Sequence, residues 1–335
     1  MIFCDKMKIA ALHLHNFLEY AQIRGVLVPK LAAGNTAAPA NATDDLLMIP
    51  EPDFYAALKQ AHQQIQDDLW GIKAGNYLTL KLLGLIYQIS LQATTLEEAF
   101  HYLHSYLQTT LPLLATFTQV TQEQATITLQ INNHEEQLNR VIMENVLTII
   151  SREITMMVSG EVEFTLSSPF WHSSYPKNWV YGATYSISFA PITLKAAIRK
   201  RSEEKLEILI PEYIKLLEVL KAADSNFPNQ VKITMLALSD PLLPDIAAVS
   251  ETLCLTPRTL QRRLERENSS YRLLSQDLKK QICSFLLQHQ EYSVTNLAYV
   301  LGYAEPAAFI HSFKKWFGDS PDRIRRKKWN AASLK

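Results

Sequence analysis

Cysteine is scarce in this chain: three residues among 335, Cys4, Cys254 and Cys283. No two are paired at a spacing that suits a zinc site or a disulfide framework, and the usage fits a reducing cytosol. The first residues lack a basic-then-apolar leader pattern. Long apolar runs are missing too. The nearest approach, Leu78 to Leu96, contains Lys81, two glutamines and several hydroxyl residues. It reads as a half-buried segment of a folded domain, not a membrane span. No Ser/His/Asp arrangement, phosphate loop or paired-carboxylate motif stands out, so the expectation is no catalytic group, no metal and no cofactor. Net charge is also absent, with 33 basic and 33 acidic residues.

That neutrality hides a division. Asp245 to Lys335 carries 15 Lys and Arg against 9 Asp and Glu, a net of +6, and the remainder carries 18 against 24, a net of −6. A basic segment is the electrostatic footprint expected for phosphate contacts. The chain is 47% hydrophobic, ample for packed cores, and its length suits two domains.

What is present is a pattern that occurs twice in the basic segment. The first copy is Val249-Ser250, Leu253-Cys254-Leu255-Thr256, Leu260 and Leu264. The second is Leu297-Ala298, Leu301-Gly302-Tyr303-Ala304, Phe309 and Phe313. The offset is 48 residues before the turn and 49 after it, so the second turn is one residue longer. Two short apolar-periodic runs around helix-breaking chemistry read as a helix-turn-helix unit. Ser250 and Ala298 supply the small side chain where the helices approach. Gly302 suits a reversal at positive φ. Cys254 suits it less, so the first turn either bears modest strain or uses another geometry. Asp245 and Ser293 are suitable N-caps, and Thr256-Pro257 pairs an N-cap with proline at the first helical position. Pro306 after Glu305 matches it.

Between the units, Ser270 to His289 carries a single apolar stripe at Tyr271, Leu274, Leu278, Ile282 and Phe285. A helix of roughly 20 residues is about 30 Å long, close to the pitch of B-DNA at about 34 Å. Such a rod could hold two reading heads over successive major grooves.

The first 223 residues read as α+β. Helices are expected over Lys8–Val28, Pro52–Leu69, Leu96–Thr109 (capped by Thr95), Glu135–Val158 and Lys205–Ala223. Ala115–Val120 and Ala125–Ile131 alternate around a TQEQ turn, a hairpin signal. Val162–Leu166 and Thr184–Phe189 alternate again, and Leu78–Leu91 suits helix or strand. Asp224 to Asn229 (DSNFPN) reads as the linker, and Gln230–Ser239 as the first helix of an all-α domain over 230–335.

The strings Leu255-Thr256-Pro257-Arg258-Thr259-Leu260-Gln261-Arg262-Arg263-Leu264 and Leu297-Ala298 through Phe309, continuing Phe313-Lys314-Lys315-Trp316-Phe317-Gly318-Asp319-Ser320-Pro321, resemble the C-terminal domain of AraC/XylS-type transcriptional regulators. Ile49-Pro50 through Leu220 is similar to the "arabinose-binding"-type effector and dimerisation domain of a bacterial subfamily. The resemblance implies a seven-helix DNA-binding domain with two reading helices joined by a long one. It also implies promoter DNA, a small-molecule effector, a homodimer and RNA polymerase as partners, and transcriptional activation in the cytoplasm.

Carried onto this sequence, the first reading helix turns Arg258, Gln261 and Arg262 outward. Arginine can bond bidentately to guanine and glutamine to adenine. In the second, the outward positions are Ala307, Ala308 and His311, where family members often carry arginine two residues after the apolar anchor. Weak base readout is expected there. Thr256, Arg263, Lys314, Lys315 and Arg323 are the phosphate candidates. Phe170, Trp171, Tyr175, Trp179, Tyr181, Tyr185 and Phe189 cluster with His172. A pocket there would involve His172, Tyr175, Trp179 and Tyr185, against the alternative of ordinary core and rim. Ile210, Tyr213, Ile214, Leu217 and Leu220 form an apolar stripe that suits a dimer seam or docking on its own domain. Two other readings stand beside regulation by an effector: an effector-independent dimeric regulator, and an enzyme delivered to DNA by its helix-turn-helix module.

Overall fold

The chain divides into two units, Met1–Glu203 and Glu204–Lys335. The computed structural model describes residues 7–26, 47–77, 93–158, 162–198, 216, 219–220, 226–239, 242–287 and 293–332. The expected elements at Leu78–Leu91 and most of Lys205–Ala223 lie outside these.

The first unit is α+β. Its first helix, α1 (Ala11–Ile23), starts later than expected, because Lys8–Ala10 forms strand β1, paired antiparallel with β2 (Met48–Pro50). Then come α2 (Glu51–Gln64), α3 (Trp70–Asn76), α4 (Leu96–Thr110), β3 (Leu114–Val120), β4 (Ala125–Ile131), α5 (Glu136–Met157), β5 (Phe164–Ser168), β6 (Trp179–Tyr181) and β7 (Tyr185–Phe189). Thr95 caps α4 by accepting from the Glu98 amide. The β3–β4 hairpin closes on the predicted TQEQ turn, with the Thr121 amide donating to the Gln124 carbonyl at 2.8 Å. The sheet order is β3-β4-β7-β5-β6, antiparallel except between β5 and β6. The short parallel strand β6 was not foreseen. It falls inside the aromatic segment, where three residues carry no usable alternation.

Helix α5 organises this unit. Every residue from Leu138 to Ile154 is buried except Arg140 and Ile149. The sheet strands β4, β5 and β7 meet it, and so do α2 and α3. Helix α3 presses against it backbone to backbone. A Cβ on Gly71 would stand 2.6 Å from the Val141 carbonyl oxygen, and one on Gly75 would stand 2.7 Å from that of Asn145. Only glycine fits so close a crossing.

The second unit is all-α. From Phe227 on, its described residues form α6 (Phe227–Ala237), α7 (Ile246–Thr252), α8 (Pro257–Arg266), α9 (Tyr271–Leu286), α10 (Val294–Val300), α11 (Pro306–Phe317) and α12 (Pro321–Ala332). The segment expected to be a linker to Asn229 is already helical from Phe227. Asn226 accepts from the Asn229 amide at 2.9 Å, and Pro228 sits in the first turn. An N-cap followed by Phe-Pro is a helix start. The joining helix α9 has 16 residues, about 24 Å at 1.5 Å per residue, shorter than the stretch to His289. Its buried stripe is Leu274, Leu278 and Ile282 as foreseen, completed by Cys283 and Leu286. The Phe285 side chain lies outside the description.

Candidate nucleic-acid interface

Two turns define the second unit, and they share one hydrogen-bond scheme. In the first, the Cys254 amide donates to the Glu251 carbonyl at 3.0 Å and the Leu255 amide to the Ser250 carbonyl at 2.8 Å. In the second, Gly302 donates to Tyr299 at 3.0 Å and Tyr303 to Ala298 at 2.9 Å. This nested pair of bonds is the Schellman closure of a helix, and it needs a left-handed residue at its centre. Gly302 has φ +75° and Cys254 has φ +56°. Of the two options open for the first turn, the chain takes the strained one.

Each turn delivers the next helix in the same pose. Thr256 caps α8 by accepting from the Thr259 amide at 3.2 Å, and Pro257 and Pro306 occupy the first turns of α8 and α11. Leu260, Leu264, Phe309 and Phe313 are fully buried with Val249, Leu297 and Ala298. Their burial turns the opposite face to solvent. On α8, Arg258, Gln261, Arg262 and Arg263 are exposed, as is Thr256 before it. Arg258 and Arg262 are four apart and so share a face. On α11, Ala307, Ala308, His311, Lys314 and Lys315 are exposed. The outward placement expected of both helices is therefore present.

Arg263 is less free than its neighbours. Its guanidinium lies 4.0 Å over the Phe227 ring and ties α8 to α6. Arg323 pairs with Asp319 at 3.8 Å while remaining exposed, a contact too weak to hold it from another anion. Arg266 and Arg272 are also exposed, at the end of α8 and the start of α9. They add cationic surface that the spacing argument did not single out, because it followed the apolar anchors. Lys279 and Lys280 of α9 stand 4.9 Å and 5.7 Å from the Tyr303 and Phe317 rings, tying α9 to the second reading unit.

The aromatic cluster of the first unit packs on itself: the Trp171 and Tyr175 rings stack at 5.6 Å, the Tyr175 and Trp179 rings lie 5.5 Å apart, and Arg140 stands 4.2 Å over the Phe170 ring. His172 is exposed, Tyr185 is half-buried, and Tyr175 and Trp179 are buried. The Tyr175 hydroxyl donates to the Glu144 carboxylate, which also accepts from Arg140 Nε at 3.0 Å and Ser168 Oγ at 3.3 Å. Burial raises the Glu144 carboxyl above its ordinary value, and these donors work against that rise. The group locks α5 to β5 and to the loop after it. None of the four residues lines the apolar cavity that lies between α1, α4 and α5.

A helical unit with two identically closed helix-turn-helix elements, each showing a polar and partly cationic outer face, belongs to the class of DNA-binding proteins that read duplexes with helices. The comparisons narrow that class. Residues 249–327 match a family of helix-turn-helix domains, and residues 25–190 match the arabinose-binding domain found at the N-terminus of AraC transcription regulators. An uncharacterized HTH-type transcriptional regulator of Mycobacterium tuberculosis is 23% identical over 92% of this chain and 94% of its own. The urease operon transcriptional activator of Escherichia coli is 26% identical over 51% of this chain and 60% of its own. The crystal structure of the transcriptional regulator CdpR from Pseudomonas aeruginosa covers 93% of this chain and 97% of its own, at 18% identity and a TM-score of 0.38. The chain belongs to the AraC/XylS family: it is a DNA-binding transcriptional regulator with an arabinose-binding-type N-terminal domain. Among the described residues no helix is long and apolar enough to cross a membrane.

Proposed function

We propose that the chain is a cytoplasmic homodimer that binds promoter DNA sequence-specifically and activates transcription through RNA polymerase, under control of a small molecule bound by its first unit. The observation that supports this most is the repeated Schellman-closed turn, which presents two exposed helix faces from one basic unit. The relative named as the activator of a urease operon supports the sign of regulation. In this reading residues 1–223 sense and dimerise, and residues 230–335 bind DNA.

On α8, Arg258, Gln261 and Arg262 read base edges, with bidentate arginine–guanine pairs as the strongest discriminators. On α11, Ala307, Ala308 and His311 offer apolar contact and one ring, so this helix positions more than it specifies. Thr256, Arg263, Lys314, Lys315 and Arg323 meet phosphates.

The test is DNA selection from a random pool, followed by binding to the selected site and to scrambled DNA across a salt series. Lys314→Ala should weaken both DNAs alike and shallow the salt dependence by about one unit. An unchanged salt slope removes Lys314 from phosphate contact, and failure of the pool to converge contradicts sequence-specific reading.

A further inference from the structure

A mostly apolar cavity of the first unit, between α1, α4 and α5, has a volume of about 40 Å³. Most of its wall is apolar, including Phe17, Val146 and Ile150. Five polar side chains interrupt that wall: His13 and Asn16 from α1, Tyr106 from α4, and Asn145 and Glu153 from α5. Asn16 is 4% exposed and Glu153 3%. Asn16 Nδ2 donates to the Ala74 carbonyl at 3.4 Å, which leaves Oδ1 with no partner. Glu153 Oε1 also has none. A buried acceptor without a donor is costly to retain in a folded chain, so two in the wall of one cavity require an explanation.

His13 adds to the same bias. Its Nε2 lies 3.0 Å from Thr110 Oγ1, whose single proton is committed to the Tyr106 carbonyl at 2.8 Å. Nε2 must therefore carry the ring proton and donate, which leaves Nδ1 as an acceptor. Burial holds the ring neutral by lowering its pKa to about 4. Among the described residues no lysine or arginine lines the cavity.

This chemistry selects among ligands. An anion would bring further acceptors against Asn16 Oδ1 and His13 Nδ1, with no cation among the described lining residues to balance it. A hydrocarbon would leave both acceptors unpaired. A primary ammonium carries three donors and no acceptor, and its tail suits the apolar wall.

We propose that this cavity binds a small primary amine, its ammonium held by Glu153 and Asn16 and its short aliphatic tail lying along Phe17, Val146 and Ile150. The inference rests on the sensing role proposed above and names the ligand class of that role. A volume of about 40 Å³ is only a few times the 10–15 Å³ or so that one water requires, so the tail is short. A ligand of four non-hydrogen atoms then binds with a Kd no tighter than about 40 μM.

Burial alone pushes the Glu153 carboxyl up to about 8. Among the described residues the other titratable groups on the wall are His13 on α1 and Tyr106 on α4. At pH 7 the empty cavity therefore holds a protonated Glu153, and an arriving ammonium ionises it. Binding should release about one proton to solvent.

The experiment is calorimetric titration of the full chain at pH 7 with n-propylamine hydrochloride, n-propanol and sodium propionate, in two buffers of different ionisation heat. The expected result is amine binding at least about tenfold tighter than the alcohol, about one proton released, and no propionate binding. Glu153→Gln should lose at least about tenfold in amine affinity while the alcohol is unchanged. Equal amine and alcohol affinities, or no proton release, overturn the assignment. The proton count is read on the unsubstituted chain and so decides the question even if the variant fails to fold. Operator affinity followed in the same titrations separates the two readings. Amine binding that leaves operator affinity fixed keeps the site and removes its sensing role. An operator response to another class of solute, with no amine binding, keeps sensing and removes the amine.

Discussion

The two helix-turn-helix elements are built to one backbone plan from different materials. The first closes its turn on Cys254, buries Ser250 and packs α8 through the aliphatic Leu260 and Leu264. The second closes on Gly302, buries Ala298 and packs α11 through Phe309 and Phe313. Those rings continue into contacts with Tyr303 and Phe317 at 5.6 Å and 4.6 Å, and Trp316 joins the set. The outer faces reverse the order. The element with the strained turn and plainer core shows Arg258, Gln261 and Arg262, and the better-packed element shows Ala307, Ala308 and His311. Aromatic packing and exposed hydrogen-bond donors are distributed in opposite senses. One backbone plan therefore accommodates two different cores and two different outer faces.

The largest effect should come from the aromatic core. Phe309→Ala is expected to cost about 3–5 kcal/mol in denaturant unfolding of the second unit, and Leu260→Ala about 2–5 kcal/mol. A clearly smaller loss for Phe309 would break the contrast in packing. Next comes the contrast in reading. Arg262→Ala should cost about 1–3 kcal/mol on selected DNA and less on scrambled DNA, whereas His311→Ala should change both little. Equal losses on the two DNAs would make Arg262 a phosphate contact.

The turns can be exchanged. Gly302→Ala places a Cβ at φ +75°, 3.3 Å from Leu242 Cδ2, and should cost about 1–2 kcal/mol. Cys254→Gly should relieve strain and raise stability by about 1 kcal/mol. A destabilised Cys254→Gly would show that the left-handed conformation there carries no penalty. The smallest effect belongs to Ser250, whose buried Oγ has no partner. Ser250→Ala should be neutral or stabilising by up to about 1 kcal/mol, matching Ala298 in the other element.

The helix-turn-helix elements were legible in sequence because their determinants are local. Caps, small residues, prolines and anchors four apart all lie within one or two turns of the bond they control. The hairpin around Thr121–Gln124 was legible for the same reason. The sheet order was not, since β7 inserts between β4 and β5 by pairings that span dozens of residues. Helix α5 was recognised as a helix, but not as a buried one. Asn139, Glu144, Asn145, Thr148, Ser151, Arg152 and Glu153 are all buried on it, and such residues ordinarily mark a solvated face. Only the sheet on one side and α2 and α3 on the other reveal that Glu153 has nowhere to go. For the same reason the cavity behind α1 left no mark in the sequence. Arg263 is expected from the sequence to meet phosphate, but its stacking on Phe227 depends on a helix that begins earlier than the composition of DSNFPN suggests.

Hydroxyl-radical footprinting of a selected promoter fragment, with the intact chain and with Arg262→Ala, tests the two-element account most directly. Two protected patches on one face of the duplex, about 10–10.5 base pairs apart, with only one weakened by the substitution, is the predicted outcome. A single patch, or two that fade together, would contradict it.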